Sequence, residues 1–379
     1  MADDMGVSPE MSAGKRQSDN GATPIFGLTK EQLWPIVEEI AAEQVVSFDV
    51  GIERSVRGPY GAGGEKLVPT FSYVTRGGER GEAIAFAKRH YEEFPGPGEA
   101  YHYLHLAHQD VAIPRMYGAL RDDEGREILF LEYVDVITET REGFVADADQ
   151  FSSFLAVLAH FNAIRPSSEY ADLLRSGMAM WPEPWEARVA DAPALLDRIW
   201  ERADAGELGG ALQRTCSSAS GALDRLRRLA EQLLDSVKQM EVGLVHNDLG
   251  LEHVGRRRQT GDLLLFDLED TGLTPGFYDV ACWLGAPDEV EPRCAAREEL
   301  AQHYLSEYTR RGGVAPPLGA FLEETHTLWM VGVLSMLHWH LHEALDEPWE
   351  RTRRNDEEYR RENRQELHRQ LSILLGQLR

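Results

Sequence analysis

At 379 residues the chain is long enough for two lobes or domains with cores of their own, and 42% hydrophobic residues fit a folded protein rather than a disordered one. A net charge of −25, from 64 acidic against 39 basic residues, argues against a nucleic-acid partner, because phosphate backbones are held by basic patches; it leaves a cationic small molecule open. Three widely spaced cysteines, Cys216, Cys282 and Cys294, show neither a disulfide framework nor zinc spacing and fit a reducing cytoplasm, while no secretory signal and no apolar stretch of membrane-spanning length is expected.

Residues 1–24 are polar, without periodicity, and read as a disordered tail. Residues 28–43 read as a helix with Thr29 as N-cap, Gln32 at the capping-box position, and Leu33, Ile36, Val37 and Ile40 on one face. Strands are expected over 45–56, 67–75 and 83–90, with a glycine-rich turn at 58–64 and a hairpin turn at Gly77 and Gly78. Gly58, Gly61, Gly63 and Gly64 match no tight phosphate-binding fingerprint, and Pro59 removes a backbone donor. Lys88 stands apart: of five lysines it alone lies in a well-patterned apolar strand. The chain breaks at 95–98, and a helical pattern then begins at Glu99 and includes Leu104 and Leu106. Two further strands are expected over 113–120 and 127–134.

Beyond Val134 the pattern turns helical. Residues 149–164 carry Phe151, Phe154, Leu155, Leu158, Ala159 and Asn162 at helical spacing, and His160 reads as packed or surface rather than catalytic. Residues 167–240 read as a mostly helical insertion with a loop at 181–185 and a break at 203–210. From Ala281 onward helices are expected apart from a loop at 312–317. In the helix over 321–345, His338 and His342 stand four apart with no third metal ligand in view. The last helix puts Leu367, Leu371, Leu374, Leu375 and Leu378 on one stripe, as a cap on the C-terminal part or a dimer interface.

The chemistry concentrates in VGLVHNDLGLEHVGRRRQTGDLLLFDLEDTGLTPGFYDVA, residues 242–281. Asp248 follows the apolar run 242–245, Asp267 ends the run 263–266, and Thr260 and Gly261 between them suit a hairpin turn. A strand, a loop holding Asp248 and His253, and a hairpin ending at Asp267 would bring three side chains to one mouth. A carboxylate able to accept a hydroxyl proton would then lie beside two potential metal ligands, which is the apparatus of phosphoryl transfer.

The same residues carry a family resemblance. His246-Asn247-Asp248-Leu249 followed by His253 resembles the H-G-D-x-x-x-x-N catalytic loop of the aminoglycoside phosphotransferase and choline kinase-like family. Phe266-Asp267-Leu268-Glu269 resembles its I-D-[FW]-[EG] metal-binding strand end, and Tyr278-Asp279-Val280-Ala281 its D-x-A segment, in the same order and spacing. The short spacer from Asp267 to Asp279, without an A-P-E segment, sets the chain apart from protein kinases.

The resemblance implies an α+β, two-lobed protein-kinase-like fold. A small five-stranded antiparallel N-lobe would occupy 25–134 and a larger, mostly helical C-lobe 135–379. It implies Asp248 as catalytic base, Asp267 and His253 as metal ligands, and His246 and Asp279 as braces of the loop. Lys88 would contact the nucleotide phosphates and pair with Glu99, with Glu92 and Glu93 as competitors. The backbone of Glu132 and Val134 would hold the base of ATP or GTP at a hinge. Glu269, Asp270 and Tyr278 fall where acceptor pockets begin. Trp181, Glu183 and Trp185 would stack on or pair with an acceptor, or pin their loop to the core. Arg256, Arg257 and Arg258 are expected to be exposed in the hairpin. Two positions depart from the pattern: Asn247 replaces Gly but tolerates left-handed backbone angles, and His253 replaces Asn, which suits Mg²⁺ less well and admits Mn²⁺. The implied activity is transfer of a γ-phosphoryl group to a small-molecule hydroxyl, most of all on an antibiotic such as an aminoglycoside. A choline, sugar or amino-sugar kinase is second, and a non-catalytic nucleotide-binding regulatory module is the rival of another class. The chain is expected to act as a monomer or homodimer in the cytoplasm, on an acceptor that leans cationic.

Overall fold

The computed structural model describes residues 23–56, 65–90, 98–175, 190–286, 294–345 and 357–378. Residues 1–22 of the expected tail, the glycine-rich turn at 58–64, Glu92, Glu93, Pro95 and the loop at 181–185 lie outside the described residues. The chain divides into two compact units. Of the described residues, 23–56, 65–90 and 115–133 form the first, and 98–114 with 134–378 the second.

In the first unit, helix α1 (Lys30–Ala41) starts at a complete capping box. The Gln32 N–H donates to Thr29 Oγ1 at 3.2 Å and the Thr29 N–H to Gln32 Oε1 at 2.8 Å, so two otherwise orphaned donors are satisfied together. Five strands follow, β1 (Val45–Val56), β2 (Glu65–Thr75), β3 (Arg80–Arg89), β4 (Met116–Arg121) and β5 (Glu127–Glu132). They form one antiparallel sheet in the order β1-β2-β3-β5-β4. The apolar face of α1 lies on this sheet, where Leu33, Trp34, Ile36 and Val37 bury with Phe48, Phe71, Ala85, Ala87 and Phe130. Gly118, at φ 152°, permits the contact, because a Cβ there would stand 2.5 Å from Ile36 Cδ1. The fourth strand begins at Met116 rather than Ile113, since Pro114 has no N–H to give a ladder.

The second unit opens with the short helix α2 (Ala100–Leu106), on which Leu104, expected in the apolar pattern, is exposed. The single strand expected over 127–134 is two: β5 ends at Glu132, and β6 (Val134–Val136) pairs in this unit with β8 (Val254–Arg257). Helices α3 (Arg141–Ala146), α4 (Ala148–Asn162), α5 (Ser168–Arg175), α6 (Ala192–Asp204), α7 (Gly210–Ser218) and α8 (Leu223–Val237) lead to β7 (Val242–Val245). Strand β8 and β9 (Leu263–Leu265) make the expected hairpin, in a three-stranded sheet ordered β6-β8-β9. The chain then forms β10 (Gly272–Pro275), which the sequence reading did not foresee and which, among the described residues, pairs with β7 alone, so Pro275 costs no second ladder. Helices α9 (Tyr278–Leu284), α10 (Cys294–Arg310), α11 (Leu318–Ala344) and α12 (Glu357–Gly376) complete the unit. Helix α10 packs on α4, α9 on α11, and α12 on α11 and α7, with Leu367, Leu371 and Leu374 buried. No helix among the described residues is long and apolar enough to cross a membrane.

Candidate active site

Strand β7 buries Leu244 and Val245 and delivers the chain to His246, which is wholly buried. Two successive N–H groups then meet one carboxylate. His246 donates to Asp279 Oδ2 at 2.7 Å and Asn247 to Asp279 Oδ1 at 3.0 Å. Asp279 sits in the first turn of α9 and also accepts from Asn162 Nδ2 at 3.0 Å. Asn162 reaches the Leu244 carbonyl at 3.2 Å and accepts from the Tyr304 hydroxyl at 3.0 Å. Burial raises the Asp279 pKa, and the donors from His246, Asn162 and Asn247 work against that rise. His246 Nε2 bonds to the Phe266 carbonyl at 2.9 Å, which ties the loop to the chain just before Asp267. Asn247 takes a left-handed φ of 68°.

The turn so held presents Asp248 outward, its side chain 57% exposed. A 3₁₀ turn over Leu251–His253 brings His253 back, and its Nδ1 lies 2.6 Å from the Asp248 carbonyl oxygen. A carbonyl only accepts, so Nδ1 carries the proton and Nε2 faces away with its lone pair when the ring is neutral. That Nε2 is 3.4 Å from Asp267 Oδ2, while the Asp248 carboxylate is 3.6 Å from Nδ1. Asp267 follows β9 in a left-handed conformation, φ 64°, with its side chain 11% exposed. Burial opposes charge on His253, but Asp267 and Asp248 outweigh it, and the His253 pKa is raised. Asp248, His253 and Asp267 therefore meet in the second unit.

This donor set fits a divalent cation. Two ligands about 2.1 Å from one ion and at right angles stand about 3 Å apart, near the separation of His253 Nε2 and Asp267 Oδ2. A ligating histidine commonly gives its other N–H to a backbone carbonyl, as His253 gives Nδ1–H to Asp248. One nitrogen beside one carboxylate oxygen is a mixed set that suits Mn²⁺ at least as well as Mg²⁺.

Lys88 lies in β3 of the first unit, buried at 1% exposure, opposite Lys66 and Leu129 in register. Glu99 stands at the N-terminal boundary of α2, 3% exposed, and its Oε1 accepts the Leu268 N–H at 2.9 Å. It thus anchors the residue next to Asp267. Glu132 is joined to Arg115 twice: its N–H donates to the Arg115 carbonyl at 2.7 Å, and its Oε2 accepts the Arg115 N–H at 3.1 Å. Val134 pairs with Arg257 in β8. Glu269 and Tyr278 are half-buried. Asp270, expected at the acceptor, is 4% exposed. The expectation for the arginines needs correction. Arg256 bonds to Gln150 and to the Gly261 carbonyl, Arg257 to the Ile113 carbonyl, and Arg258 alone of the three is exposed, paired with Asp135. Sequence reasoning missed the loop's supports Asn162 and Tyr304. Asn162 left a signal, a polar residue ending an apolar helical stripe; Tyr304 left none.

A unit built on a five-stranded antiparallel sheet and a mostly helical unit carrying this loop define a protein-kinase-like fold. Among solved structures the chain is similar to an ethanolamine kinase from Plasmodium vivax, at 12% identity and a TM-score of 0.54, over 87% of this chain and 82% of that one. It is also similar to a choline/ethanolamine kinase family protein from Mesorhizobium loti, at 14% identity and a TM-score of 0.50, over 85% and 88% of the two chains. The GDP complex of aminoglycoside 2′-phosphotransferase-IIIa shares 13% identity at a TM-score of 0.47, over 89% and 96%. No curated protein sequence matches the chain. Residues 85–314, more than half of the chain, match the phosphotransferase enzyme family, and the chain belongs to that family.

Proposed function

We propose that the chain is a small-molecule kinase that moves the γ-phosphoryl group of ATP or GTP to a hydroxyl of a cationic acceptor. An antibiotic such as an aminoglycoside is the first choice of acceptor, and a choline-like amino-alcohol, a sugar or an amino-sugar the second. The observation that carries this reading is the presentation of Asp248: an exposed carboxylate on a loop whose backbone is fixed by Asp279, beside Asp267 and His253.

In this reading Asp248 orients the acceptor hydroxyl and takes its proton. The hydroxyl oxygen bonds to the γ-phosphorus, and the bond from that phosphorus to the β–γ bridging oxygen breaks, releasing the nucleoside diphosphate. Asp267 and His253 would hold a divalent ion, which when bound supplies charge neutralisation at the phosphates. Lys88 is the proposed partner of the nucleotide phosphates, the backbone of Glu132 and Val134 that of the base. Glu99 holds Leu268, and through it the left-handed turn at Asp267. Glu269 and Tyr278 are proposed acceptor contacts. The net charge of −25 supports a cationic acceptor. Two of the similar structures are named for choline or ethanolamine kinases, which places amino-alcohols on the acceptor panel beside aminoglycosides.

The test gives wild type and Asp248→Ala ATP or GTP, Mg²⁺ or Mn²⁺, and a panel of aminoglycosides, macrolides, choline, ethanolamine and amino-sugars. Mass spectrometry reads phosphate added to the acceptor. The expected result is an acceptor-dependent product that falls at least ~100-fold in the variant. Nucleotide binding without a product on any acceptor would favour the regulatory module and sink the kinase reading.

A further inference from the structure

We propose that Asn247 is a positioning residue of the phosphoryl-transfer site, whose side chain clamps the Asp248 loop to the segment following Asp267 so that the two carboxylates keep one separation. Its effect on turnover rests on the kinase reading above; the clamp itself does not.

Backbone geometry gives no reason for a side chain here. Asn247 has φ 68°, and glycine would adopt that conformation without steric cost. Yet the amide is used at both ends. Nδ2 donates to the Asp270 carbonyl at 2.8 Å, and Oδ1 accepts from Thr274 Oγ1 at 3.1 Å. Asp270 ends the 3₁₀ turn Leu268–Asp270 that starts directly after Asp267, and Thr274 lies in β10. Space for the amide comes from Gly272, where an added Cβ would stand 2.9 Å from Nδ2. The loop is thus held at several points. Its main chain binds Asp279 through the His246 and Asn247 N–H groups, the His246 ring binds the Phe266 carbonyl just before Asp267, and the Asn247 side chain binds the stretch just after it. Glycine at 247 would keep the first two holds and remove the last, so only the segment that follows Asp267 comes free of the loop.

The test compares Asn247→Gly, Gly272→Ala, Thr274→Val, Thr274→Ser and the double variant Asn247→Gly with Gly272→Ala. The readouts are kcat, KM for nucleotide, Tm, and amide exchange over 246–253 and 267–272. For Asn247→Gly the expected result is kcat ~10- to 100-fold lower with nucleotide KM within about threefold, because misplacement of reacting groups by less than an ångström acts on the transition state first. Exchange should quicken in both segments while Tm stays near wild type. Gly272→Ala should reproduce this by displacing the amide, and the double variant should be no worse than Asn247→Gly alone, as two routes to one lost contact require. Thr274→Ser should match wild type and Thr274→Val fall between. If Asn247→Gly fails to fold, Gly272→Ala and Thr274→Val carry the same comparison. Wild-type kcat in Asn247→Gly overturns the positioning role whatever the exchange shows. If the wild type phosphorylates no acceptor, the kinase reading fails and exchange alone decides: faster exchange in both segments upholds the clamp, and unchanged exchange overturns it.

Discussion

Asp248 and Asp279 are both carboxylates of the same short region, and the structure asks opposite things of them. Asp248 is exposed, and its carboxylate faces His253 Nδ1 at 3.6 Å, so on the proposed reading Asp248→Ala should lower kcat ~10²- to 10⁴-fold and leave stability within about 0.5 kcal/mol, as surface substitutions do. A single calorimetric scan beside the turnover assay checks both halves. Asp279 is 1% exposed and satisfies three donors, so Asp279→Ala would strand two backbone N–H groups and leave the Asn162 amide with the Leu244 carbonyl as its acceptor. That should cost about 2–4 kcal/mol in urea unfolding. His102 adds a pH dependence. It is buried, its Nδ1 lies 2.7 Å from the Tyr170 hydroxyl, and burial pushes its pKa down to about 4. The unfolded chain, with an ordinary histidine near 6.5, therefore binds a proton between about pH 4 and 6.5 that the folded chain refuses. Stability from neutral His102 is complete above the upper value and lost as pH falls toward the lower. Urea midpoints across this window should fall on acidification in wild type and fall less in His102→Gln.

At the scale of elements, two contacts should prove sensitive for different reasons. Thr29→Ala removes the capping box of α1 and should cost about 1 kcal/mol. Gly285 closes α9 against α11, and a Cβ there would stand 2.5 Å from the Thr325 carbonyl oxygen, an atom that cannot rotate away. Gly285→Ala should therefore cost about 1–3 kcal/mol through overpacking, read as a lower denaturation midpoint. Periodicity and caps made most elements legible before any coordinates: the five strands of the first unit, α1 with its cap, the apolar stripe of α4, and the hairpin around Thr260 and Gly261. Strand β10 was not legible, because Gly272–Pro275 has neither a β-branched run nor alternation and is strand only through its pairing with β7. That Asp248, His253 and Asp267 come together was legible by spacing. The burial of Asp270, the engagement of Arg256 and Arg257, and the support from Asn162 and Tyr304 depend on side-chain packing between distant segments, which local pattern does not encode.

For the whole molecule, the net charge of −25 implies self-repulsion in the compact state. Raising monovalent salt from about 0.01 M to 0.15 M shortens the screening length from roughly 30 Å to 8 Å, and Tm should rise over that range. A cationic acceptor should show the opposite sensitivity, its KM growing with salt while kcat holds. A further consequence concerns the order of synthesis. The carboxylate that fixes His246 lies 33 residues downstream, its second ligand Asn162 lies 117 residues upstream of it, and Leu268 hangs from a glutamate made 169 residues earlier. Such pairings close long loops and form late. A nascent chain that has delivered Asp248 but not yet Asp279 carries that carboxylate on an unfixed turn, so the arrangement of Asp248 beside His253 and Asp267 is held only once translation has passed α9.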